Sequence, residues 1–149
     1  MLDKVEIQRI VDKIVASEYY EGDYGDVIDN EDLVLSNVEE SDRENVPKDY
    51  LDFLKSFGFG ELDSAFYIDD GLSTHSSICG KNIEAFEGVY IFAGNSGEIL
   101  YGFDSQSHWA IVELSAELDR AEMVCDDFST FILNKLKYLE GLVGWRANN

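Results

Sequence analysis

Two histidines, two cysteines and thirty-one carboxylates are the residues of this chain with chemistry to offer, and their spacing limits what they can do. His75 stands in Ser73-Thr74-His75-Ser76-Ser77, a base among hydroxyls. A nucleophilic relay needs base, hydroxyl and orienting acid to converge in space, which sequence neighbours do not supply. The pattern therefore predicts a solvated loop histidine. His108, in Ser105-Gln106-Ser107-His108, is predicted to lie in a solvated turn. Cys79 and Cys125 are far apart and belong to no CxxC or Cys/His pattern, as expected of two reduced thiols. Gly94-Asn95-Ser96-Gly97 lacks the lysine and the spacing of a phosphate-binding loop and reads as a hairpin turn.

The carboxylates are more informative. Glu21 to Asp32 contains Asp23, Asp26, Asp29, Glu31 and Asp32, with Gly22 and Gly25 and no base, which marks a loop. A calcium loop needs acids at alternate positions, a central glycine and a terminal glutamate. Here the spacing differs and Val27 and Ile28 interrupt it. A solvated acidic loop and a docking surface for a basic partner remain as readings. Tyr19, Tyr20 and Tyr24 lean toward the second, because tyrosine anchors interfaces at low entropic cost. Asp69 and Asp70, at an expected strand end, would extend the surface. The candidate partner-binding set is thus Tyr20, Asp23, Tyr24, Asp26, Asp29, Glu31, Asp32, Asp69 and Asp70; no catalytic residue, metal or cofactor is expected.

Eleven Lys and Arg against these acids leave a formal charge of −20. Such a field repels nucleic acid and anionic membranes and speeds encounter with basic proteins. It also serves solubility alone. Residues 1–70 carry 20 acids and 6 bases, and residues 71–149 carry 11 acids and 5 bases, so the first half holds most of the field. No run of about 18 apolar residues is present, and the N-terminus lacks the pattern of a secretory signal. A cytoplasmic protein is expected, as a monomer or a homodimer.

The positioning elements follow from periodicity. Asp3 to about Tyr20 reads as an amphipathic helix burying Ile7, Ile10, Val11 and Ile14. Leu33 to Asn45 is ambiguous, with a short helix around Val38 to Glu44. Pro47 to Phe57 is a helix with Pro47 at its first position and Tyr50, Phe53, Leu54 and Phe57 on one face, closed by Gly58 and Gly60. The period then changes to two. Strands are expected at Leu62–Ile68 (ended by Asp69-Asp70-Gly71), Val89–Ala93 (buried on both faces), Glu98–Asp104, Trp109–Leu114 and Glu122–Cys125, with Leu72–Glu87 a loop containing a short helical turn. Asp126 or Asp127 caps a last helix, its apolar stripe running from Phe128 to Val143 and its end frayed by Gly141 and Gly144. The whole chain, 1–149, reads as one α+β domain. Its mainly antiparallel sheet of four to six strands is flanked by N-terminal helices and a C-terminal helix.

Three blocks together carry a resemblance. Val46-Pro47-Lys48-Asp49-Tyr50-Leu51-Asp52-Phe53-Leu54, running into Gly58 and Gly60, is similar to the proline-started aromatic helix and glycine pair of the SUKH superfamily. That superfamily includes the domain of the yeast Smi/Knr cell-wall-synthesis regulators and many bacterial immunity proteins. Ile91 to Asp104 is similar to its paired strands joined by a small-residue turn, and Phe128-Ser129-Thr130-Phe131-Ile132 to its closing Phe-x-x-Phe helix. Val46 stands where the family pattern has Leu, and Phe59 separates the two glycines. The resemblance implies an α+β fold without enzymatic activity. It further implies an immunity protein that binds and neutralises a cognate polymorphic or contact-dependent toxin, often a nuclease. A non-enzymatic regulatory scaffold of the Smi/Knr type, with several partners, is the alternative. An enzyme would require His75 to be hydrogen-bonded to an acid in a pocket.

Overall fold

The computed structural model describes residues 1–115 and 120–148. Its centre is a six-stranded antiparallel sheet in simple sequential order, β1 (Gly60–Asp63), β2 (Phe66–Thr74), β3 (Val89–Gly94), β4 (Ile99–Asp104), β5 (Ala110–Ser115) and β6 (Arg120–Cys125). Helices α1 (Lys4–Val15), α2 (Glu31–Val34), α3 (Lys48–Ser56), α4 (His75–Cys79) and α5 (Phe128–Asn148) complete the α+β fold. Short 3-10 turns lie at Glu40–Asn45 and Glu84–Phe86.

β3 explains the wholly apolar run in the sequence. Tyr90 and Phe92 face the main core, formed with α1, α3 and α5, while Val89 and Ile91 face a second cluster with Ile83, Phe86, Val112 and Leu114. Alternating side chains thus enter two cores, and all six residues of the strand are buried. The three sequence blocks meet in the main core. The Tyr50 ring lies 5.6 Å from Phe92, 5.3 Å from Phe103 and 5.4 Å from Phe128, edge to face in each case. Phe92 stacks on Phe103 at 4.5 Å. The Tyr50 hydroxyl, sealed among these rings, has no hydrogen-bond partner among the described residues.

Several boundaries differ from expectation. α1 ends at Val15 because its buried stripe ends at Ile14, and the chain turns at Ser17–Tyr20. Pro47 is the cap of α3, one residue before its first turn. Leu62–Ile68 is a hairpin rather than one strand, since Asp63 Oδ1 accepts the Ala65 N–H at 2.9 Å and folds the turn. β2 does not stop at Asp69-Asp70-Gly71. Ile68 pairs with Ala93 and Ser73 with Ile91, so Asp69–Leu72 bulge opposite Phe92 alone. The turn-like residues mark that bulge. The segment after it, expected as loop with a short helical turn, holds α4 and a 3-10 turn, which cover the second face of the sheet. α5 runs through Gly141 and Gly144, because Leu142 and Val143 pack on the core and Arg146 pairs with Asp63 beyond them. Tertiary contacts there outweigh the cost of about 1 kcal/mol per glycine.

Candidate protein-interaction surface

The acidic segment between α1 and α2 is fastened to the fold. Gly25 N–H donates to Phe59 O at 3.1 Å, Phe59 N–H to Asp26 O at 2.9 Å, and Ile28 N–H to Leu54 O at 3.2 Å. Asp23 Oδ1 accepts the Glu61 N–H at 2.8 Å. The Tyr20 hydroxyl accepts the Tyr24 N–H at 2.7 Å. Gly58, at φ 95°, passes so close that a Cβ would lie 2.3 Å from Asp26 O. This is why the glycine that ends α3 is needed twice over.

α2 then carries the segment across to β2. Asn30 caps it by accepting the Asp32 N–H at 2.9 Å. Its end packs on the bulge, where a Cβ on Gly71 would lie 3.1 Å from Val34 Cα. That contact brings the end of α2, which follows Asp32 in the sequence, against the bulge that carries Asp69 and Asp70.

The candidate residues divide into two groups. Tyr20 and Tyr24 pack against the main core, and burial holds the Tyr24 phenol above its ordinary range. Asp23 is engaged by Glu61, and Glu31 forms an ion pair with Lys55. Asp26, Asp29, Asp32 and Asp70 are exposed and have neither ion pair nor side-chain hydrogen bond among the described residues. Asp69 is half-buried. Burial and, next, the Asp70 charge push its carboxyl up to about 6. The imbalance is general: among the described residues, ion pairs engage only Glu6, Glu31, Asp52, Asp63, Glu122 and Glu140.

Two apolar residues complete the surface and were not among the sequence candidates. Val27 is 48% exposed, between Asp26 and Asp29, and Leu33 is 74% exposed, next to Asp32. Apolar residues within an acidic stretch were the available signal. Val27 reads as an interruption of a calcium pattern, and Leu33 is indistinguishable in sequence from its neighbour Val34, which is fully buried.

His75 departs from expectation. It opens α4, is only 6% exposed, and stacks edge-on against Phe86 at 5.9 Å. Its Nε2 accepts the Ile83 N–H at 3.0 Å and lies 3.0 Å from Asn82 Oδ1. Covering the second face of the sheet buries it. It borders a cleft of about 290 Å³ with Glu39, Asp42 and Glu87. Its hydrogen-bond partners are an amide and a backbone N–H, and no carboxylate among the described residues orients the ring as a relay requires. His108 is exposed, at φ 57° in the turn before β5. No helix among the described residues is long and apolar enough to cross a membrane.

No family model matches this chain, and no curated protein matches it either.

Proposed function

We propose that this chain is a SUKH-type immunity protein that acts in the cytoplasm, without catalysis. In this reading it binds a cognate basic toxin domain and blocks that domain's working surface. The observation that carries the reading is that Asp26, Asp29, Asp32 and Asp70 are exposed without an ion pair among the described residues, and that Val27 and Leu33 are exposed in the same acidic stretch of chain as the first three. A toxin that grips phosphates, as a nuclease does, is basic where it works. A partner of charge −20 is steered to that surface and competes with substrate there. The apolar pair supplies short-range contact, and the fastened loop limits the ordering cost of binding.

The three sequence blocks support the family assignment by their order, and the meeting of Tyr50, Phe92, Phe103 and Phe128 gives them a shared structural reason. They are fold-forming residues and say nothing of the toxin.

The test is association kinetics with the toxin domain encoded beside this chain's gene. The on-rate should fall at least about tenfold between low and high salt. Asp26→Lys with Asp29→Lys should lower it further at low salt. Unchanged kinetics in that variant would remove the proposed surface. Several weak partners and no toxin would favour the scaffold alternative.

A further inference from the structure

The acidic segment starts at a cavity. Four stretches enclose about 290 Å³ there: the end of α1 with the turn after it, the first residues of the acidic segment, β1 with its turn, and the end of α5. That volume lies at the low end for ligand pockets and suits one long side chain. One wall is fixed. The Tyr20 hydroxyl accepts the Tyr24 N–H at 2.7 Å and donates to Glu61 O at 3.5 Å, and a Cβ on Gly22 would overlap Glu61 O. Arg146 is the one base among the lining residues, and both of its terminal nitrogens lie on the Asp63 carboxylate, whose side chain is 8% exposed. Those two charges cancel. Glu21 and Glu61 line the same cavity, are exposed, and have no ion pair among the described residues. Two uncompensated carboxylates thus share the cavity with Tyr19, 47% exposed, and half-buried Tyr20.

We propose that this cavity receives an arginine side chain from the protein partner. Charge complementarity selects a cation, because the lining keeps a net negative charge once Asp63 and Arg146 have cancelled. The tyrosines select the guanidinium among cations. It meets a carboxylate through a planar fork, stacks on an aromatic face, and sheds water more readily than an ammonium. Leu62 and Val143 give the lining apolar surface for the methylene stem. The fixed wall limits the ordering cost of binding. The choice of a protein partner rests on the immunity reading, in which that partner is basic, and gives the two sets of carboxylates different tasks. Asp26, Asp29 and Asp32 speed encounter, whereas a seated arginine slows dissociation.

The cavity is testable without the toxin, by titrating N-acetyl-arginine methylamide into the isotope-labelled chain and following its backbone amide NMR signals. Saturable shifts are expected around Tyr19, Glu61 and Arg146, with a dissociation constant of roughly 1–20 mM, as suits one charged contact on an aromatic face. The citrulline analogue, of the same shape without the charge, should not saturate, and the lysine analogue should bind more weakly. Glu21→Gln with Glu61→Gln changes two exposed side chains and should weaken the arginine probe at least about fivefold, with the rest of the spectrum unmoved. Asp26→Lys with Asp29→Lys should weaken it less. Absence of saturable shifts, equal binding of the lysine or citrulline analogue, or shifts centred on Asp26–Asp32 would overturn the proposal. The two readings fail separately. Probe binding in a chain that captures no toxin would contradict the immunity reading and leave the cavity's preference standing, whereas toxin capture without probe binding would overturn the cavity alone.

Discussion

Asp23 Oδ1 accepts the backbone N–H of Glu61 at 2.8 Å, fastening the acidic segment to the exposed edge of β1. The carboxylate replaces the neighbouring strand that the amide lacks. Asp23→Ala should cost about 0.5–1.5 kcal/mol in urea unfolding, the usual net worth of such a bond. Asp23→Asn retains an acceptor oxygen and should lose less. Equal losses would mean that charge, not the bond, fastens the loop.

Asp69 gives the protein a pH-dependent term. Its folded value of about 6 lies above the ordinary carboxyl value of 3.8, through burial and then the Asp70 charge. The folded state therefore binds this proton more tightly than the unfolded state, and the group's contribution rises as pH falls from about 7 toward about 4. At pH 7 both states are ionised and the buried charge opposes folding. Asp69→Asn should stabilise the protein at pH 7 by ~1–2 kcal/mol, after discounting for partial exposure. It should also flatten the dependence between pH 4 and 7 relative to the parent. A parallel pair of stability curves would refute this.

Tyr50 carries a buried hydroxyl without a partner, at the meeting point of the three sequence blocks. Tyr50→Phe removes an unsatisfied donor and keeps the ring, so thermal stability should be unchanged or higher by up to ~1 kcal/mol. Tyr50→Ala should cost about 3–5 kcal/mol by opening a cavity among Phe92, Phe103 and Phe128. A large loss in Tyr50→Phe would reveal a bond to the hydroxyl.

The contrast between core and surface explains what the sequence could convey. The helix of Tyr50 and Phe53, the doubly buried β3 and the run of strands in the second half were legible because each rests on local periodicity. The β2 bulge was not, because Asp69-Asp70-Gly71 has the composition of a turn whether the strand ends or only loops out. His75 was misread for a related reason: its burial comes from α4 folding over the far face of the sheet, a contact with no local pattern. The acidic surface was partly legible. Composition located it, but only the hydrogen bond to Asp23 and the ion pair to Glu31 separate these two from Asp26, Asp29 and Asp32.

Leu33 separates binding from folding. With 74% of its surface exposed, it contributes little to the core. Leu33→Ala should shift the unfolding free energy by less than about 0.5 kcal/mol and weaken the toxin complex by roughly tenfold, as loss of a contact residue does. Titration calorimetry beside denaturant unfolding reads both. Full affinity in Leu33→Ala would place the contact elsewhere.

The most direct test of the central claim is survival under co-expression. The toxin domain encoded beside this chain's gene would be induced in a sensitive bacterium, alone, with this chain, and with the Asp26→Lys, Asp29→Lys variant. The account predicts killing by the domain alone, rescue by the parent chain, and reduced rescue by the variant. A toxic domain that this chain does not block would contradict the proposed function.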